Sequence, residues 1–402
     1  MQRLAALPKP YLFVFAVASM AAAVLACATV VAILAPGLAP SLADKDFANY
    51  WVASRLLLSG RVQDLFGPWD VYFSHLQEAF GSEYPWHNWS YPPHFLFLVW
   101  PFGLFGYKIA LLLFLATTGI AFLFAYRAFI GERNLVAWVA AMPFMVVNFW
   151  AAQNGYLCAA LALGALALRE KRPIIAGILL GLLTIKPQLG LLFPFLLVAE
   201  RRWTVIASAT ISTLLLVAAS AAIFGPDAWR GYIQNVVPYQ NAVMRVLEGL
   251  FLAMMPSVYG ALRNWNFGPD LALMLHLSVA APVALVVIVA FFRIGDARDR
   301  SILLLIATFI ITPYALSYDL GLLAGALGLM ALRDPPSPEG RIRIAILTLA
   351  MLLPLAMIQF GLLKIPLAAI VLFALLLLAL HDAGLTPDFL RRRVSVKMDA
   401  AP

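Results

Sequence analysis

Asp44-Lys45-Asp46-Phe47-Ala48-Asn49-Tyr50-Trp51 opens a polar segment spanning residues 36–92, and His87-Asn88-Trp89-Ser90-Tyr91-Pro92-Pro93 closes it. Apolar runs flank it, Tyr11 to Ala35 before and residues 107–130 after. Each is long enough to cross a hydrocarbon core of ~30 Å at ~1.5 Å per residue. Further runs of this kind follow to the end of the chain, joined mostly by short connections. With 63% hydrophobic residues, 12% charged and a mean hydropathy of +0.90, these 402 residues have too little polar surface to coat a soluble globule. The pattern predicts an all-α polytopic membrane protein. The first run exceeds the length of a cleaved signal core and reads as a retained span.

Spans are expected near 11–35, 107–130, 135–150, 156–168, 173–185, 188–199, 203–224, 271–292, 301–313, 318–332, 342–360 and 365–381, about 11–12 in all. Several are short and are expected to extend into the interface or to sit in thinned bilayer. A cytoplasmic N-terminus puts 19 of the 28 Lys and Arg residues on the cytoplasmic side, including Arg201, Arg202 and the run Arg391-Arg392-Arg393. Acidic residues divide evenly, as expected when Lys and Arg set orientation. The net charge of +8 is therefore topology, and a nucleic-acid partner is not expected. Both termini are placed in the cytoplasm and the 36–92 loop outside. The whole chain, 1–402, reads as one integral membrane domain with a second large outer loop at 225–269 and a basic tail at 382–402. Cys27 and Cys158 fall in apolar spans and offer no disulfide and no metal cluster. Asn88-Trp89-Ser90 fits a glycosylation triplet, a pattern common by chance.

Polar residues gather at the outer ends of the spans, at Asn148 with Gln153 and Asn154, at Lys186-Pro187, and at Thr312-Pro313-Tyr314 with Asp319. A lysine at membrane depth costs roughly 2.5–3.5 kcal/mol at a helix centre. Lys186 reads either as an interfacial snorkelling residue or as a cation facing phosphate in a cavity. Asp319 reads either as a helix cap or as a sugar- or cation-binding carboxylate. Gln153 and Asn154 either cap a turn or line a site, and His276 reads as a core histidine.

In the first loop, Asp44 and Asp46 are both candidate caps for an amphipathic helix over 47–58, expected to lie on the membrane surface with Asn49 and Arg55 on its outer side. A second such helix is expected over 69–80. His94 to Phe105 reads as a short re-entrant helix, started by Pro92-Pro93 and broken at Pro101-Phe102-Gly103. Capping explains one aspartate, not both, and not the Trp, Tyr and His residues returning at Tyr84 to Tyr91. Aromatic faces stack on sugars and also anchor at headgroups, so they do not choose between the two.

The ordered set Asp46-Phe47-Ala48-Asn49-Tyr50-Trp51 through Gly60, Tyr91-Pro92-Pro93, Gln153-Asn154-Gly155, Gly181 to Lys186-Pro187, Thr312-Pro313 and Tyr318-Asp319 resembles glycosyltransferase family 87. The resemblance covers about residues 10–385. It implies a GT-C-like bundle and an inverting hexosyltransferase of the bacterial inner membrane. The implied donor is a polyprenyl phosphate sugar such as mannose, the acceptor an extracytoplasmic glycan or glycolipid, with no metal and no cofactor. Asp46 matches the general base, Tyr91-Pro92-Pro93 shapes the cavity, and Lys186 faces the donor phosphate, with Arg245, Arg263 or Arg230 assisting. The loop 225–269 would form an acceptor wall. Relatives often carry Ser-Pro-His where this chain has Thr312-Pro313-Tyr314, so a histidine beside the base is either missing or supplied by His87 or His94. Intramembrane Lys and Asp are also found in transporters and lipid-linked-sugar flippases, the alternative class. A non-catalytic scaffold would leave Asp46 as a cap alone.

Overall fold

The computed structural model describes residues 7–34, 46–131, 134–333 and 339–385. Asp44 and the tail from 386 onward lie outside the described residues. Those described form helices and turns, with no strand among them.

Five helices are long and apolar enough to cross a membrane: Lys9–Ala32, Tyr107–Ile130, Trp203–Phe224, Pro269–Arg293 and Gly340–Leu362. They expose much of their length. Along Trp203–Phe224 only Val205, Ser220 and Phe224 are buried, as expected of a helix whose solvent is lipid. Shorter helices occupy the middle of the bundle. Gly321–Ala331 is buried at all its positions, Gly155–Leu168 at nearly all, and Ser301 to Ile310 within Ala297–Ile311 likewise. An 11-residue helix rises only about 16 Å, so these elements do not reach the length of the outer five. Their shortness has a different origin from the interfacial extension or bilayer thinning expected from the sequence. They stop inside the protein, where their outer ends border a cavity.

Lipid gives helices no hydrophobic reason to associate with one another, so close backbone packing does that work. Gly177 and Gly181 on Pro173–Leu183 face Ser208 and Ser212 on Trp203–Phe224. A Cβ at 177 would stand 2.5 Å from the Ser208 Cβ, and one at 181 would stand 2.9 Å from that of Ser212. The closeness lets the Ser208 hydroxyl donate to the Ile174 carbonyl at 2.8 Å.

The segment 46–131 shows how the first loop departs from a surface arrangement. Phe47–Leu58 forms as expected, yet Phe47, Ala48, Asn49, Tyr50, Val52, Ala53, Ser54 and Leu56 are all buried. It does not lie on the surface, because the broken segment Pro93–Leu104 packs on the face that the amphipathic pattern leaves small and polar. There the Ser54 hydroxyl donates to the Val99 carbonyl at 2.7 Å and the Arg55 guanidinium to that of Gly103 at 3.3 Å. The breaks fall as the prolines dictate, with 3-10 turns at Pro93–Phe95 and Trp100–Leu104 around a single α turn. Trp69–Phe80 buries one face, Tyr72, His75 and Leu76.

Replacing Gly181 with Val is expected to destabilise the protein by about 1–3 kcal/mol, the usual range for overpacking, because the Thr213 backbone nitrogen lies only 3.2 Å from the added Cβ. A lower melting temperature in detergent checks this; an unchanged one would show that the contact with Trp203–Phe224 is slack.

Candidate active site

A cavity of about 740 Å³ opens among the broken ends of the short central helices. Three surfaces enclose it. The first loop contributes Asp46, Asn49, Trp86, His87, Asn88, Ser90 and Tyr91; broken helix ends contribute Gln153, Lys186, Thr312, Tyr314 and Tyr318; the second outer loop contributes a largely apolar wall with Val236, Met244, Leu247, Leu250, Phe251 and Met254.

Asp46 stands at the start of Phe47–Leu58 but its side chain caps nothing. It turns to the cavity instead. One carboxylate oxygen lies 3.2 Å from His87 Nε2, and the other accepts from the Gln153 amide at 3.3 Å. The opposite nitrogen of His87, Nδ1, lies 3.0 Å from the Pro85 carbonyl. Each ring nitrogen therefore faces an oxygen acceptor, an arrangement that an imidazolium satisfies at both ends. Gln153 is oriented in its turn: its carbonyl oxygen accepts from the Tyr91 hydroxyl at 3.1 Å and from the Asn154 backbone at 2.8 Å. Tyr91 has one proton and gives it to Gln153, so the Tyr50 hydroxyl, 2.9 Å away, donates to Tyr91. A directed chain thus runs Tyr50, Tyr91, Gln153, Asp46.

The backbone helps to aim this chain. Leu135–Ala151 ends at Ala152, whose φ of 50° is left-handed. Such a conformation costs a non-glycine residue on the order of 1–3 kcal/mol and is held only where its surroundings fix it. Here the Asp46 backbone nitrogen donates to the Ala151 carbonyl at 3.3 Å, tying the turn to the start of Phe47–Leu58. Gly155 follows with no room for a side chain, since a Cβ there would lie 2.0 Å from the Asn148 carbonyl oxygen.

Lys186 ends the turn after Pro173–Leu183. Its ammonium lies 2.7 Å from an Asp319 carboxylate oxygen and 4.7 Å from the centre of the Tyr318 ring. Asp319 also accepts from the Leu316 backbone at 3.0 Å, so it caps the turn there as well as pairing with Lys186. The two side chains are only 8% and 3% exposed. Removing one partner of a buried pair typically costs about 3–5 kcal/mol. Lys186 borders the cavity, and Asp319 stands behind it.

Across the cavity, Gln240 joins the first loop to the second large loop, residues 225–269. Its amide nitrogen donates to the Tyr314 hydroxyl at 2.8 Å, and its carbonyl oxygen accepts from Ser90 at 2.7 Å and from Asn88 at 3.2 Å. Asn88 is therefore a wall residue, engaged on its own side chain. Tyr239 stacks on Trp69 and accepts from the Trp86 indole at 3.1 Å. A π-helical turn, Tyr232–Val236, precedes this segment. Such turns are widened and recur at functional sites.

Of the residues singled out from sequence, Asp46, His87, Tyr91, Gln153, Lys186 and Tyr314 meet at this cavity, with Asp319 in contact with Lys186. Asn154 is fully buried off the wall. His94 instead contacts the Thr184 hydroxyl at 3.2 Å and stacks on Trp229. Arg245 pairs with Asp270 at 2.6 Å, Arg263 donates to the Arg245 carbonyl, and Arg230 pairs with Asp227. None of these three arginines borders the cavity. His276 contacts the Ile311 carbonyl in the core, as expected. Asn49, expected on the outer surface, is 7% exposed and borders the cavity. Burial pushes the Tyr72 phenol well above its ordinary pKa, so it stays a donor to the Asn49 side-chain amide oxygen at 2.8 Å. The i, i+3 spacing from Asp46 was the signal for this placement. Gln240 carried none. Among the described residues no three His, Cys, Asp or Glu side chains cluster as metal ligands.

The family model of glycosyltransferase family 87 matches residues 89–317, more than half of the chain and most of the cavity wall. The chain belongs to glycosyltransferase family 87. It is a membrane glycosyltransferase, and the transporter and scaffold readings fall away. Searches of curated proteins and of solved structures found no match. Within this family 87 protein, the late boundary carries Tyr314 bonded to Gln240, and the histidine beside Asp46 is His87.

Gln240→Leu removes two hydrogen bonds to the first loop and one to Tyr314, each worth about 0.5–1.5 kcal/mol. Amide hydrogen exchange in Val237–Val246 is expected to quicken by roughly tenfold or more. Unchanged protection would mean that the aromatic contacts of Tyr239 alone hold that wall.

Proposed function

We propose that this protein transfers a sugar, mannose first among candidates, from a polyprenyl phosphate donor to a hydroxyl of a glycan or glycolipid on the outer face of a bacterial inner membrane, with inversion at the anomeric carbon. The observation that carries the reading is that the Asp46 carboxylate and the Lys186 ammonium border one cavity that also has a largely apolar side, formed by Val236, Met244, Leu247, Leu250, Phe251 and Met254. A lipid-linked donor needs that combination: a cation for its phosphate, an apolar surface for its first isoprene units, and a base for the incoming hydroxyl.

The acceptor oxygen attacks the anomeric carbon, and the bond from that carbon to the phosphate oxygen breaks. Asp46 takes the acceptor proton as the new bond forms. The phosphodiester, with one negative charge, leaves as a phosphomonoester that carries the second. That leaving group calls for charge stabilisation more than for a proton, which is the part given to Lys186. His87 and Gln153 hold one carboxylate oxygen each, fixing the base in the plane from which it receives the proton. One carboxylate suffices for a single displacement, unlike the pair used in glycoside hydrolysis.

Asp46→Asn keeps the shape and removes the base, so transfer from radiolabelled polyprenyl phosphate mannose into membrane extracts is expected to fall ~10²–10⁴-fold with expression unchanged. Equal transfer by both proteins would take Asp46 out of the mechanism. No transfer by either would remove mannose and move the assay to other polyprenyl-linked sugars. His87→Ala is expected to lower kcat more than it raises the donor KM; the reverse pattern would make His87 a binding residue.

A further inference from the structure

Transfer creates a charge problem at Lys186. The donor phosphodiester carries one negative charge, whereas the phosphomonoester left behind approaches two at neutral pH, its second pKa being near 6. A lone lysine in a cavity of low polarity would hold the product more tightly than the donor, and turnover would stall on release. Lys186 is the only Lys or Arg among the described residues that border the cavity, so no other described Lys or Arg shares that work. Lys186 is not alone, however. Asp319 sits against it at 2.7 Å.

Resting on the donor reading above, we propose that Asp319 is a positioning residue that tunes Lys186 to prefer the singly charged phosphodiester and to release the doubly charged phosphomonoester. An ammonium has three donors. One is spent on Asp319, which leaves the others for a phosphate on the cavity side. The Asp319 carboxylate does not swing out to compete, because its second oxygen is held by the Leu316 backbone nitrogen at 3.0 Å. Its charge stays fixed behind the wall. Lysine and aspartate together are neutral, so a phosphate gains hydrogen bonds from Lys186 while meeting little net positive field. Each added negative charge on that phosphate then meets Asp319 across a medium of low polarity, where like charges are weakly screened. A cap alone would need only a hydrogen-bond acceptor at 319; this role needs the charge.

The test measures binding of three probes to the purified full-length protein in lipid nanodiscs: farnesyl phosphate as monoester, farnesyl methyl phosphate as diester, and farnesol. The wild type is expected to bind the diester at least as tightly as the monoester, and both more tightly than farnesol. Asp319→Asn keeps the oxygen that caps Leu316 and removes the charge. It is expected to bind both esters more tightly, with the monoester gaining about tenfold more than the diester, inverting the preference. An unchanged ratio of monoester to diester affinity in the variant would overturn the proposal. Should the variant not fold, the wild-type ratio decides: a monoester bound several-fold more tightly than the diester overturns the role of Asp319. Failure of the donor reading has a different signature, with neither ester exceeding farnesol in the wild type.

Discussion

The ion pair between Lys186 and Asp319 joins two helices that stop short inside the membrane protein, and the arrangement of the cavity depends on that junction. Pro173–Leu183 ends before Lys186 and the chain restarts at Pro187; Ala297–Ile311 ends before Thr312 and restarts at Ser317. Each break leaves backbone groups without a helical partner in a region where water is scarce. The polar residues at the breaks meet that demand. Asp319 receives the Leu316 nitrogen, Thr312 donates to the Gln188 carbonyl at 3.3 Å, and Asn148 donates to the Tyr318 carbonyl at 2.9 Å. Side chains that cap broken helices thus arrive at one depth and one place, which is the first condition for a site.

Division of labour among the helices follows from the same constraint. Long apolar helices meet lipid along their length and need little specificity beyond close packing, as at Gly177 and Gly181. Short central ones are sheathed by the long ones, so their irregular ends do not touch lipid. A cavity is what remains where the central helices fail to reach the outer surface. Its volume is thereby set by helix length, and its chemistry by whichever residues terminate the helices. The outer loops complete the enclosure, the first supplying Asp46 and His87 and the second an apolar wall latched through Gln240.

Orientation of the carboxylate shows how far the arrangement is over-determined. Asp46 is held through His87 on one oxygen and Gln153 on the other, and Gln153 is fixed by Tyr91, which is fixed by Tyr50. Four of these five side chains belong to the first loop and its helix, Tyr91 among them in the Tyr-Pro-Pro segment, and one to a left-handed turn between central helices. A carboxylate held in this way has one orientation, which is the geometry the proposed proton transfer needs.

Composition and run length determined the all-helical membrane class, because a hydrophobic excess of this size has no soluble solution, and they placed the twelve apolar segments close to where they occur. Proline positions determined the breaks at 92–93, 101 and 187, since a missing backbone donor acts locally. Asp46, Tyr91, Gln153, Lys186 and Asp319 were legible as candidates because polar residues at span ends are costly enough to need a reason. What only the tertiary structure decided was pairing. His87 and His94 read alike along the chain, yet one meets the carboxylate and the other stacks on Trp229. Arg245 and Arg263 read as cations for a phosphate, yet Arg245 pairs with Asp270 and Arg263 donates to the Arg245 carbonyl, neither bordering the cavity. The helix at 47–58 reads as a surface element, yet a segment nearly fifty residues later covers it. Contacts between residues far apart in sequence depend on how helices pack, and periodicity reports only which face of an element is apolar, not what will come to cover it.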